Sequence, residues 1–155
     1  MVNPIYIFDL DGTLALIEHR RHFVEGPKKN WQSFFAACVD DAPNLPVIQT
    51  FKILRKSAEV WIWSGRSDEV REQTLSWLYK HGLIHGFWNP LHVESLRMRK
   101  AGDHQPDVAL KRQWLSEIEP PEYQRLTAVF DDRSSVVAMW REFNIPCFQV
   151  APGDF

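Results

Sequence analysis

Only two cysteines occur in the 155 residues, Cys38 and Cys147, far apart and with no histidine spaced to share a metal with them. They read as free thiols of a reducing cytosol. No apolar stretch approaches the roughly 18 residues of a membrane span, so no membrane partner is expected. A basic leader with a cleavable apolar core is also missing, and the expected location is cytoplasmic. Neither sign of charge dominates: the net charge of −2 argues against nonspecific coating of DNA or RNA and leaves room for a local basic patch. Repeats, low-complexity segments and linkers are absent, which predicts one domain over residues 1–155.

What is present is a soluble composition, 45% apolar and 25% charged, with seven tryptophans and ten phenylalanines. That is enough for one substantial core. The tryptophan excess leaves room for a dimer surface, and the oligomeric state is not legible. Apolar runs at Ile5–Phe8, Glu59–Ser64, Leu126–Asp131 and Pro146–Val150 read as strands, with a weaker one at Ser95–Met98. Helical spacing marks Pro46–Ser57, Ser67–Gly82, Asp107–Ile118 and Ser135–Phe143. Strands alternating with helices predict an α/β fold, a parallel sheet flanked by helices. Residues 14–45 fit no strand and are expected to form a small helical cap inserted after the first strand.

In such sheets the chemistry lies beyond the carboxyl ends of the strands. Three strands end in polar residues: Asp9-Leu-Asp11, Ser64-Gly65-Arg66 and Asp131-Asp132-Arg133. Four carboxylates at one sheet edge repel each other, and Mg²⁺, a hard ion that prefers oxygen and keeps sites open for phosphate, relieves this. Asp9, Asp11 and Asp131 are the expected direct contributors, with Asp132 on a metal-bound water or a neighbouring base. A carboxylate needs no deprotonation to act as nucleophile, so Asp9 can attack phosphorus to give an aspartyl-phosphate. Asp11, two residues on, can protonate the leaving oxygen and later activate water. Gly12 allows the turn. Lys111, a cation on the otherwise apolar stripe of its helix, wants an anion; Ser64 and Arg66 can bind phosphoryl oxygens. Taken singly, an Asp-x-Asp pair occurs at many turns and Lys111 would be a snorkelling surface lysine. Their joint occurrence in chain order carries the reading.

On these residues the chain resembles the haloacid dehalogenase (HAD) superfamily, which implies its Rossmann-like fold. "DLDGT" resembles the first motif, Ser64 the second, Lys111 the third and "DDR" the fourth. "SGRSD", "MRKAGDHQPDVALK" and "FDDRSSVVAMWREFNIPCFQVAPGDF" further resemble the 3′-phosphatase domains of phage polynucleotide kinase/phosphatases. That resemblance implies Asp9 and Asp11 as nucleophile and general acid–base, with Ser64, Gly65, Arg66, Arg99, Asp107, Lys111, Asp131 and Asp132 in support, and Mg²⁺ as cofactor. No G-x-x-x-x-G-K-[ST] occurs, so a phosphatase module without the kinase is expected.

The expected partner is a phosphorylated substrate, either a 3′-phosphate on a nucleic-acid end or a free nucleotide. Basic residues outside the site, Arg20, Arg21, Lys28, Lys29, Arg97, Arg99 and Lys100, favour the former. Trp31, Phe34 and Phe35 could stack on a base or form the core of the cap. A small phosphomonoester is the alternative substrate, and an inactive binding module the alternative from another class.

Overall fold

Alternation along the first strand decides what each face of the sheet will bury. In the computed structural model, which describes residues 2–84 and 95–155, Ile5 and Ile7 join one core and Phe8 joins the other. Both faces are apolar because both are covered, the usual condition of a parallel sheet. The elements run β1 (Ile5–Phe8), β2 (Ala15–Leu16), α1 (Trp31–Ala36), β3 (Ala42–Pro43), α2 (Leu45–Leu54), β4 (Glu59–Ser67), α3 (Arg71–Lys80), β5 (Leu96–Arg99), α4 (Asp107–Ser116), α5 (Pro120–Tyr123), β6 (Leu126–Asp131), α6 (Ser134–Glu142) and β7 (Cys147–Gln149).

Five strands form one parallel sheet in the order β5-β4-β1-β6-β7. The chain moves outward from β1 to β5, then returns to the other side of β1 for β6 and β7. The reversal opens a crevice at the carboxyl end of β1. On one face, Trp61 and Trp63 pack against Leu110, Trp114 and Leu115 of α4 and Val136, Val137 and Trp140 of α6. On the other, Ile62, Leu96 and Phe8 meet Ile48 and Phe51 of α2 and Trp77 and Leu78 of α3. Five tryptophans therefore serve these two cores. Phe8, Phe130 and Phe148 stack across three adjacent strands, with ring centroids 4.4 Å and 5.1 Å apart.

Two details depart from the sequence reading. Strand β4 does not stop at Ser64. It continues to Ser67 through a register shift, Ser64 pairing with Met98 and Ser67 with the next residue, Arg99. The two extra residues, Gly65 and Arg66, bulge where the sheet meets the crevice. The segment between β1 and α2 is not wholly helical. It opens and closes with the antiparallel pair β2 and β3, which encloses α1 and the 3-10 helices Glu18–Phe23 and Ala37–Asp40. Among the described residues no helix is long and apolar enough to cross a membrane. Cys38 and Cys147 are free and buried.

Candidate active site

Phe8 and Phe130 are register partners, so the carboxylates that follow them, Asp9 and Asp131, leave the sheet side by side. Lys111 reaches between them from α4. Its Nζ donates to Asp9 Oδ1 at 2.8 Å and to Asp131 Oδ2 at 2.7 Å. Thr13 Oγ1 donates to Asp9 Oδ2 at 3.2 Å. After Leu10 the chain folds on itself, the amides of Thr13, Leu14 and Ala15 all donating to the Leu10 carbonyl. Gly12 has φ +84°, and a Cβ there would lie 2.1 Å from Asp132 Oδ2. Only glycine allows both the left-handed backbone and the close approach of the turn to Asp132.

Oxygens of Asp9, Asp131 and Asp132 lie within 4.8 Å of one another, all three residues buried. One ammonium faces three carboxylates. Burial pushes the Asp9 carboxyl well above its ordinary value; Asp131 and Asp132 add to this against the pull of Lys111. Burial, then Asp131, pushes Asp132 up to about 6. Burial works against the Lys111 charge, but Asp131 and Asp9 outweigh it and the ammonium is held above its usual range. A buried surplus of negative charge on oxygen donors alone fits a hard divalent cation.

Asp11 stands outside that cluster. Its Oδ1 accepts from Arg20 Nη2 at 2.7 Å and from Arg66 Nη2. Burial opposes its ionisation, but Arg66 and then Arg20 outweigh burial and hold the carboxyl down at about 2. Its Oδ1 is thus held by guanidinium groups, and Asp11 is not among the three residues whose oxygens converge. Arg20 is fully buried, so it is no part of an outer basic surface. Asp41 lies behind it, accepting from Arg20 Nε at 2.7 Å and Nη2 at 2.6 Å, and from Arg66 Nη2 at 3.1 Å. Sequence reasoning missed both Arg20 as a site residue and Asp41. The one available signal was chemical: a buried second aspartate of the Asp-x-Asp pair requires a cation of its own.

The remaining site candidates fall into two groups. Ser64 is fully buried and its Oγ accepts from the Arg66 amide at 3.1 Å; it lies beneath the cavity and does not line it. Gly65 packs on Asp107, whose Oδ1 would lie 2.5 Å from an added Cβ. Arg99 braces this corner, donating to Gly65 O at 2.8 Å, Gln105 O at 2.6 Å and Asp107 Oδ1 at 2.5 Å. Arg133 Nη1 lies 3.6 Å from Asp107 Oδ2. Arg97 is turned elsewhere, with Nη1 on Glu117 at 2.6 Å and its guanidinium over Trp63.

A cavity of about 1040 Å³ opens above these groups, walled by Asp9, Asp11, Arg66, Asp107, Lys111, Asp131 and Asp132 at its base and by Arg21, Lys29, Trp31, Lys100, Arg133 and Phe155 higher up. Phe34 is buried under the Arg20 guanidinium, whereas Trp31 is 48% exposed with Lys29 Nζ 5.7 Å from its ring. The aromatic group is therefore graded: all three rings border the cavity, Phe34 buried, Phe35 half-buried against the core, and Trp31 packed on both with its outer part exposed.

The family described as "Polynucleotide kinase PNKP phosphatase domain" matches residues 3–155. A putative bifunctional polynucleotide kinase/RNA ligase of Autographa californica nuclear polyhedrosis virus is 31% identical over 140 residues, 89% of this chain and 18% of that protein. A chain in the structure of the Pnkp1/Rnl/Hen1 RNA repair complex superposes with a TM-score of 0.79 at 32% identity, over 99% of this chain and 44% of that one. The class C acid phosphatase from Bacillus anthracis shares the fold, with a TM-score of 0.57 at 14% identity over 86% of this chain and 53% of its own. This chain spans less than two thirds of each of these relatives.

Proposed function

The chain belongs to the polynucleotide kinase PNKP phosphatase-domain family, a branch of the HAD-like hydrolases, and from that membership we propose that it is a Mg²⁺-dependent phosphatase that removes a 3′-phosphate from polynucleotide ends through an aspartyl-phosphate. The observation that carries this reading is the convergence of Asp9, Lys111, Asp131 and Asp132 at the crevice of the sheet, with Asp11 beside them.

Asp9, Asp131 and Asp132 would hold Mg²⁺, which would offset the repulsion among them and draw phosphoryl charge to the site. A carboxylate oxygen of Asp9 bonds to phosphorus as the bond to the 3′-oxygen breaks, and that oxygen takes a proton from Asp11. Lys111 offsets charge on the transferring group. Asp11 rests ionised. A phosphomonoester, whose second ionisation lies near pH ~6, delivers the proton as its monoanion. In the second step Asp11 takes a proton from water as water attacks phosphorus. The upper cavity supports a polynucleotide substrate: Trp31 offers a face for a base, and Arg21, Lys29 and Arg133 offer charge to a backbone. Residues 14–45, which carry Trp31 and Arg20, act as the cap.

The test compares turnover of a 3′-phosphorylated oligonucleotide with that of free 3′- and 5′-nucleotides. A higher kcat/KM on the oligonucleotide is expected, and a large preference for 5′-nucleotides would remove the end-healing reading. Asp9→Asn is expected to abolish phosphate release even from p-nitrophenyl phosphate; persistent turnover would remove the assigned nucleophile.

A further inference from the structure

We propose that Asp41 is a positioning residue that holds Arg20 and Arg66 on one oxygen of Asp11 and so keeps the other oxygen open for the leaving group. The inference rests on the acid–base role of Asp11 given above. Both guanidiniums meet Asp11 Oδ1, and among the described residues Oδ2 accepts no hydrogen bond.

That one-sided arrangement runs against the ordinary preference of arginine. A guanidinium beside a carboxylate favours a two-bond fork that covers both oxygens. Arg20 does form such a fork, but with Asp41: Nε reaches Oδ1 at 2.7 Å and Nη2 reaches Oδ2 at 2.6 Å. With Nη1 donating to the Phe34 carbonyl at 3.3 Å, only the outward side of Nη2 remains for Asp11, at 2.7 Å. Arg66 is drawn to the same place, its Nη2 shared between Asp41 Oδ2 at 3.1 Å and Asp11 while Nη1 is tied to Thr74 Oγ1 at 3.1 Å.

Asp41 is itself fixed. Its side chain is wholly buried, His19 Nε2 sits 2.7 Å from Oδ1, and Trp77 of α3 donates its indole N–H to the Asp41 carbonyl at 2.8 Å. Two buried guanidiniums against Asp11 alone would leave one positive charge unbalanced; the second carboxylate balances it. Without Asp41, Arg20 is free to rotate its fork onto Asp11 and cover Oδ2.

The experiment uses the intact chain and two substrates that differ in their need for an acid. A 3′-phosphorylated oligonucleotide leaves as an alkoxide and needs protonation, whereas p-nitrophenyl phosphate has a leaving group that departs unaided. Asp41→Asn is expected to lower kcat on the oligonucleotide at least roughly ten-fold more than on the aryl phosphate, within the range of a lost general acid, with KM within a few-fold of wild type. The ratio of the two rates does not depend on the fraction of folded enzyme. Asp41→Glu keeps the buried charge but displaces the fork, and serves if the amide variant is insoluble; the same selective loss is expected.

Equal losses on both substrates, or a wild-type ratio, would assign Asp41 to stability alone and overturn the proposal. Asp11→Asn separates the underlying reading. If it shows no selective loss, the acid role of Asp11 fails; if it does while the Asp41 variants do not, only the Asp41 assignment fails.

Discussion

Asp9 and Asp11 stand two residues apart in opposite electrostatic surroundings, one among carboxylates and the other between guanidiniums. Leu10, buried between them, sends the two side chains apart, and Gly12 then turns the chain closely against Asp132. Gly12→Ala is expected to cost about 1–3 kcal/mol in a urea melt, from the left-handed backbone and the collision. Phosphate release should fall together with stability; wild-type activity would mean that the turn can move away from Asp132 without consequence. Trp31→Ala is expected to raise KM for the oligonucleotide roughly ten-fold, the effect of one lost base stack of about 1–3 kcal/mol, while p-nitrophenyl phosphate turnover stays unchanged. An equal effect on both substrates would remove the stacking role. The aspartates were legible because they sit in one short motif at the end of an apolar strand. Arg20 and Asp41 were not, because the partners of their charged groups lie 9 to 25 residues away in sequence and meet only after the segment between β1 and α2 has folded back. A buried arginine and a surface arginine are the same letter.

Strand β4 is the element on which core and site both depend. Its even side carries Ile62 into one core, its odd side carries Trp61 and Trp63 into the other, and its end delivers Gly65 and Arg66 to the cavity. Trp63 lies 5.8 Å, ring to ring, from both Trp114 of α4 and Trp140 of α6. Trp63→Ala is expected to cost about 3–5 kcal/mol, read from denaturant midpoints, and to loosen the helix that carries Lys111; a loss below roughly 1 kcal/mol would show that the two helices hold without it. The long helices and the four main strands followed from periodicity, because each has one apolar stripe or alternation strong enough to see alone. The bulge at Gly65 and Arg66 did not, since it exists only relative to β5. Two-residue strands such as β2 and β3 are too short to have a period.

At the scale of the whole molecule, the buried acids set how stability responds to pH. The folded Asp132 value of about 6 lies above the ~3.9 of an unfolded aspartate. Between these values the folded chain binds the proton more tightly, so stability falls as pH rises through the window. Asp9 is shifted in the same direction. Asp11, held at about 2, has the opposite sign: its contribution is complete above roughly pH 4 and is lost as pH falls toward 2. The metal-free protein is therefore expected to melt highest near pH ~4–5 and lower at pH 7. Mg²⁺ at pH 7 should raise the melting temperature by several degrees, since it binds the folded acids alone. Calorimetry with chelator and with Mg²⁺ checks both. A melting temperature that climbs from pH 4 to 7 without metal, or ignores Mg²⁺, would contradict the charge surplus.

The flat stack of Phe8 on Phe130 lies one residue before each of the two acids that share Lys111. The backbone ladder already spaces neighbouring strands by about 4.8 Å, and the two rings fill that interval without gap or overlap. A substitution at either ring therefore reaches the reaction centre from below: replacing Phe130 with a branched aliphatic residue would disturb the footing of both acids while touching neither.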